Sequence, residues 1–214
     1  NFERADTYSN NFYVSEYELG AYMTDIVNVF RSYASVKHID LTYESNFRYL
    51  NVWLDKDKMD SILKNIISNA LKYTPEGGSV HVYAYETEDT WNVEVSDTGI
   101  GIPLDEQKKL FKMHFRGSNA INSKVTGSGI GLLLVWKLVH MHKGKLNFTS
   151  TEGKGSCIKV SFPKGEKRYR KAIHRPAPTK EQEQNNEPEQ ITSPEKGTPD
   201  TPAFNTPIEG YEHA

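Results

Sequence analysis

Two asparagines, Asn65 and Asn69, stand four residues apart in a stretch with helical spacing. Lys72 and Tyr73 continue their line, and at about 100° per residue the four side chains share about a third of a helix circumference. Asparagine is a poor helix former because its amide competes for backbone hydrogen bonds, so two of them stacked in mid-helix need a reason. They are either polar positions facing solvent or a pair of neutral carbonyl oxygens of the hardness Mg²⁺ prefers. A neutral amide can share that metal with phosphates without repelling them, and Lys72 would add positive charge beside the phosphates.

Two glycine-bearing segments offer complementary chemistry. Val95-Ser96-Asp97-Thr98-Gly99-Ile100-Gly101-Ile102-Pro103 directly follows a strand pattern. It is either a common Asp-Thr-Gly turn or a reader of adenine. In the second case the carboxylate accepts from the exocyclic amine, and the glycines let backbone approach the flat base. Thr126-Gly127-Ser128-Gly129-Ile130-Gly131-Leu132 opens an apolar helix. Backbone amides at a helix N-terminus preceded by glycines make an anion site suited to a polyphosphate. Neither segment has dinucleotide or P-loop spacing, since the first opens no long helix and no Gly-Lys-Ser or Gly-Lys-Thr follows.

These groups need a scaffold, and the apolar periodicities describe one. Leu19, Tyr22, Met23, Ile26, Val29, Phe30 and Tyr33 predict an amphipathic helix over 19–36. Residues 39–44 alternate as a strand, and 52–54 read as a second, short one. Asp55 or Asp57 then caps the asparagine helix, whose apolar side is Ile62, Leu63, Ile66, Ile67, Ala70 and Leu71 and which Thr74-Pro75-Glu76-Gly77-Gly78 stops. Strands over 79–85 and 91–96 pair as a hairpin. A short helix to about Met113, an aperiodic loop over 114–128 and a helix over 129–142 follow. Strands over 145–150 and 156–162 close the domain through Glu152-Gly153-Lys154-Gly155. Hairpins without regular βαβ units predict a two-layer α/β sandwich, a mixed sheet with helices packed on one face.

Composition divides the 214 residues in three. Residues 13–163 are of single-domain size. Residues 164–214 carry seven of the ten prolines and few large apolar side chains, so they are expected as a disordered linker or tail. The opening residues 1–12 are expected to lead in from an upstream segment, Asn1 being no natural initiator. Net charge is −2, and the short basic stretch 164–175 is too small for a phosphate-neutralising surface, so nucleic acid is not expected as a partner. The single cysteine, Cys157, excludes a disulfide framework and cysteine metal clusters, which suits a reducing cytoplasm. No run approaches membrane-spanning length and no signal-peptide pattern is present, so no membrane contact is expected of this segment.

Four segments together resemble the ATP-binding catalytic domain of sensor histidine kinases, in the GHKL superfamily shared with DNA gyrase, mismatch-repair ATPases and a heat-shock chaperone. Asn65-Ile66-Ile67-Ser68-Asn69-Ala70-Leu71-Lys72-Tyr73-Thr74-Pro75 is similar to the family's N box, and Asp97-Thr98-Gly99-Ile100-Gly101 to its first glycine box. Leu110-Phe111-Lys112-Met113-His114-Phe115-Arg116-Gly117 resembles the F box, and Gly127-Ser128-Gly129-Ile130-Gly131-Leu132 the second glycine box. The chain most resembles the hybrid two-component sensors common in Bacteroidetes.

The resemblance implies a Bergerat-type fold and roles for matching positions. Asn69 would be the main Mg²⁺ ligand with Asn65 beside it, and Lys72 and Tyr73 would meet the phosphates and the sugar side. Asp97 would read adenine, while Gly99, Gly101, Ile102, Thr126, Gly127, Ser128, Gly129, Ile130, Gly131 and Leu132 would line the ATP pocket. Residues 119–128 would be a mobile ATP lid, and Arg116 would reach the transferring phosphoryl group. In hydrolysing relatives a glutamate four residues before the metal asparagine activates water; here Asn65 stands there and cannot act as a base. The reaction implied is phosphoryl transfer from Mg-ATP to a histidine on a separate helical hairpin of the parent chain or its dimer mate. None of His38, His81, His114, His140, His142, His174 and His213 sits in the acceptor context. A response-regulator receiver would be a further partner, joined by the tail if it is not simply a disordered end. The parent would be an inner-membrane sensor with this domain on the cytoplasmic side. A nucleotide-sensing adaptor without turnover and an ATPase-type switch are the competing readings.

Overall fold

Apolar spacing and capping set the first helix, α1 (Leu19–Val36), over the expected residues. Glu18 caps it, its carboxylate accepting from the amides of Gly20 (2.9 Å) and Ala21 (2.6 Å). The computed structural model describes residues 12–110 and 130–169 and the backbone of 173–174, all within the unit Asn1–Ala177. The asparagine helix is α2 (Lys56–Tyr73), and of the two candidate caps it uses Asp55, which accepts from the Lys58 amide at 3.2 Å. Asp57 falls in the first turn and Lys72 in the last, each on the side the helix dipole favours. α3 (Leu104–Gln107) is a single turn, and α4 (Gly131–Met141) follows. The expected helix to Met113 ends early, since residues 108–110 form turns; residues 111–113 and the aperiodic loop over 114–128 lie outside the described residues.

Five strands form the main sheet: β2 (Asp40–Ser45), β4 (Ser79–Glu86), β5 (Thr90–Asp97), β6 (Lys145–Thr151) and β7 (Gly155–Pro163). Their order is β2-β4-β5-β7-β6, with β2 parallel to β4 and every other pair antiparallel, so the sheet is mixed as expected. Register places Val82, Val95, Ile158 and Phe148 in one row and Ala84, Val93, Val160 and Leu146 in the next. These rows meet the buried face of α2 (Ile62, Leu63, Ile66, Ile67) and of α4 (Val135, Leu138, Val139) in one core. The opposite face carries a stacked ladder of His81, Tyr83 and Tyr85. The architecture is thus the two-layer α/β sandwich, with helices packed against one face of the sheet.

A second, three-stranded sheet was not expected. It consists of β3 (Asn51–Leu54), β1 (Tyr13–Glu18) and β8 (Ile173–His174) in the order β3-β1-β8. The segment 52–54 is therefore a strand of this small sheet, not of the main one. β1 escapes a periodicity reading because Val14 and Ser15 are both buried, so its pattern does not alternate. Residues expected to begin the linker at Lys164 also carry folded structure. Lys164 pairs with Glu86 at 2.5 Å, and a 3-10 turn, Glu166–Tyr169, buries Tyr169 to 1 % exposure. Among the described residues no helix is long and apolar enough to cross a membrane.

Candidate nucleotide site

The asparagines do not face open solvent. Asn65 and Asn69 are half-buried, and the start of α4 stands over them. A side chain at Gly131 would put its Cβ 2.7 Å from Asn65 Oδ1 and 3.9 Å from Asn69 Nδ2, so the Asn65 amide would have to move to admit one. The Asn65 amide nitrogen donates to the Ser61 carbonyl at 2.7 Å, which fixes the amide and turns its oxygen toward Gly131. Among the described residues no side chain caps the α4 N-terminus, and the first amides of a helix form an anion site where nothing else takes them. Lys72 and Tyr73 follow on α2, with the Lys72 ammonium 5.1 Å from the Tyr73 ring centre.

Asp97 ends β5 on the parity of Val93 and Val95, hence on the helix-bearing face. Its Oδ1 accepts from the Gly99 amide (2.8 Å) and the Ser156 amide (3.2 Å). Among the described residues Oδ2 accepts nothing, which leaves an oxygen for a ligand donor. Burial raises the carboxyl above the ordinary aspartate range, and the two backbone amides offset part of that. The glycine loop beyond Asp97 touches α2 directly. Ile100 donates to the Tyr73 carbonyl at 3.1 Å, and a Cβ at Gly99 would fall 2.6 Å from that same oxygen. Gly101 adopts φ 61°, and its Cβ would fall 2.0 Å from the Thr151 carbonyl, so β6 packs against this loop too.

The expected residues Asn65, Asn69, Lys72, Tyr73, Asp97, Gly99, Gly101, Ile102, Ile130, Gly131 and Leu132 thus lie on α2, the end of β5 and the loop after it, and the α4 N-terminus. Arg116, Thr126, Gly127, Ser128 and Gly129 lie outside the described residues. Sequence reading missed the frame behind Asp97. Ser150 Oγ accepts from the Ile102 amide (2.8 Å) and lies 2.9 Å from Ser156 Oγ. Gln107 donates to the carbonyls of Ile102 (2.9 Å) and Ser150 (3.0 Å). Gly155 at φ 117° brings β7 so close that a Cβ there would sit 1.9 Å from the Asp97 carbonyl. Only Gly155 left a signal, and it read as a hairpin turn; the pairing of Asp97 with Ser156 spans 59 residues.

Residues 54–166, more than half of the chain, match the family described as histidine kinase-, DNA gyrase B-, and HSP90-like ATPase. The chain belongs to that family, and its folded part is an ATP-binding catalytic domain of the sensor histidine kinase kind. It is 39% identical over 129 residues to sensor histidine kinase WalK of Bacillus subtilis, covering 59% of this chain and 21% of WalK. It is 28% identical over 167 residues to histidine kinase P4 of Formosa agariphila, covering 77% of this chain and 12% of that protein. The chain thus spans about a fifth or less of these curated relatives. Among solved structures, the catalytic domain of histidine kinase ThkA shares the fold with TM-score 0.64 at 24% identity, over 72% of this chain and 98% of that domain. Full-length ShkA in complex with AMPPNP shares it with TM-score 0.66 at 21% identity, over 77% of this chain and 34% of ShkA.

Proposed function

We propose that this chain is the half of a two-component sensor histidine kinase that holds Mg-ATP and presents its γ-phosphoryl group to a histidine on a separate helical hairpin. The observation that carries the reading is the meeting of α2 with α4, where Asn65 Oδ1 and Asn69 lie under the N-terminal turn of α4 at Gly131. Phosphates seated there would face the amides of that turn and the Lys72 ammonium, and adenine would reach Asp97 Oδ2 with its exocyclic amine. Gly99, Gly101 and Ile102 form the wall on the base side, and Ile130, Gly131 and Leu132 the wall on the phosphate side. The resemblance adds Thr126, Gly127, Ser128 and Gly129 to that second wall and Arg116 near the transferring group.

Mg²⁺ fits the donor set. Asn69 and Asn65 offer neutral hard oxygens, and among the described residues no group of three or more His, Cys, Asp and Glu side chains forms a rival site. Bound between them and the phosphates, the metal would supply charge neutralisation. Asn65 has no basic lone pair to take a proton from water, and its nitrogen is committed to Ser61. Water is therefore not activated at this position, and an imidazole nitrogen takes the γ-phosphoryl group as the bond to ADP breaks. ThkA has been solved with a response regulator protein, TrrA, which supports a receiver domain as the next partner here. The parent is read as a hybrid sensor of the inner membrane with this domain on its cytoplasmic side.

Calorimetric titration tests the site. The chain binds ATP in the presence of Mg²⁺, and Asn69→Ala and Asp97→Ala each weaken binding by about tenfold or more, as expected for a lost charge-assisted or metal contact. Chelating the metal mimics Asn69→Ala and adds little to it. Wild-type affinity in both variants would refute the assignment.

A further inference from the structure

The last turn of α2 carries Lys72 and Tyr73 and should leave its final carbonyls unpaired, as every helix C-terminus does. Here each one has a partner. Ala70 O takes the amide and hydroxyl of Thr74, at 3.1 and 2.7 Å. Tyr73 O takes the amide of Ile100 from the glycine loop, at 3.1 Å. The remaining oxygens converge on one cation: Lys37 Nζ donates to Leu71 O at 2.7 Å, Lys72 O at 3.3 Å and Thr74 O at 3.0 Å. Lys37 is the residue immediately after α1, and its ammonium lies 5.9 Å from the centre of the Tyr33 ring. The turn it sits in is bound to the segment after α2 a second time, by the amide of Gly77 on His38 O at 3.0 Å.

We propose that Lys37 is a positioning residue of the nucleotide site. By drawing three carbonyls of the α2 terminus onto one ammonium, it sets the place at which the fourth, Tyr73 O, receives Ile100 and abuts Gly99. The last turn of α2 and the loop carrying Asp97 are thereby held as one unit from a residue outside the set proposed to contact ATP and metal. An ammonium suits this task because it is a compact charge with three donors, and a cation there also complements the helix dipole. The proposal rests on the functional reading above for its effect on ATP, but the link from Lys37 to Ile100 is independent of any ligand.

Two measurements on the full chain separate these. Amide hydrogen exchange without nucleotide is followed at Ile100, with Thr98, whose amide bonds Ser79 O in the neighbouring strand pair, as internal reference. Calorimetry with Mg-ATP is run on the same samples. Lys37→Met is expected to speed exchange at Ile100 by about tenfold with Thr98 unchanged, and to weaken Mg-ATP binding by about tenfold. Lys37→Arg restores a cation with donors and brings the affinity back to within about threefold of wild type. Lys164→Met, which removes an ion pair at the far end of β4 from Gly78, lowers stability without changing affinity. Should Lys37→Met not fold, Lys37→Gln, with two donors and no charge, is read the same way. Unchanged exchange at Ile100, or wild-type affinity in Lys37→Met, overturns the proposal. Faster exchange at Ile100 in a chain that never binds Mg-ATP upholds the positioning and discards the functional reading instead.

Discussion

Close approaches of backbone decide more at this site than any single side chain. Gly155 and Gly153 lie in one hairpin and both have positive φ, yet they differ in what surrounds them. A methyl at Gly155 meets the Asp97 carbonyl, whereas one at Gly153 meets nothing within 4 Å. Gly153→Ala should therefore cost only the left-handed penalty of about 1 kcal/mol, and Gly155→Ala about 3 kcal/mol or more through forced separation of β5 and β7. Urea unfolding of the two variants measures the difference, and equal losses would contradict the packing described. Asp97 adds a pH signature. Its carboxyl is raised by burial, and only the ionised form can accept freely from an adenine amine. Affinity for Mg-ATP should then fall on acidification, starting above the usual aspartate range, while Asp97→Asn is weak and insensitive to pH over the same interval.

Where the end of α4 meets the start of α2, the elements are joined by a buried polar knot. His142 is fully buried, with Nδ1 donating to Leu138 O at 2.9 Å and Nε2 accepting from the Asp55 amide at 3.2 Å. That tautomer is neutral, and burial holds the imidazole down to about 4. Asp55 also pairs with Lys58 at 3.0 Å, with both side chains under a tenth exposed. Unfolded, His142 takes up a proton below its ordinary value near 6.5, while the folded form does not. Its contribution to stability is therefore complete above pH 6.5 and is lost as pH falls from there to about 4, roughly 3 kcal/mol in all. Unfolding free energies across that window should show the slope, and His142→Gln should remove it. Persistence of the full slope in that variant would place its origin elsewhere.

At the scale of the whole chain, the proposed function divides the reaction between this domain and a histidine supplied by a separate hairpin. Of the histidines with described side chains, His38 pairs with Glu76 and His81 lies on the outer sheet face beside Thr42. His140 lies tilted against Trp136, and His142 is enclosed; both sit at the end of α4 away from Gly131. None of these meets Asn65 or Asn69. Incubated alone with Mg-ATP, the chain should acquire no acid-labile phosphate and release inorganic phosphate slowly. Adding the helical hairpin of a cognate sensor kinase should yield phosphohistidine on the hairpin. Phosphate appearing on this chain without the hairpin, or rapid hydrolysis, would contradict the role given to Asn65.

Local rules made much of this legible before any fold was known. The spacing of apolar residues gave α1 and α2 their limits, an alternating pattern gave β2, and β4 and β5 were legible as a hairpin. The four boxes carried enough side-chain chemistry to mark an ATP site of the histidine-kinase kind. Those features depend on neighbours within a turn or a strand, where the backbone period is fixed. Other features depended on contacts distant in sequence. Asp55 rather than Asp57 became the cap, β1 took β3 and β8 as partners, and Tyr169 found a buried place beyond the expected end of the domain. Ser150, Ser156 and Gln107 became the frame of Asp97, and Lys37 became the clamp on α2. No periodicity announces such contacts, because the segments that pack are far apart in sequence: Lys37 and Leu71 are 34 residues apart, Asp97 and Ser156 59, and Asp55 and His142 87. The sequence alone determined which groups could hold a nucleotide; the tertiary structure decided which groups hold those groups in place.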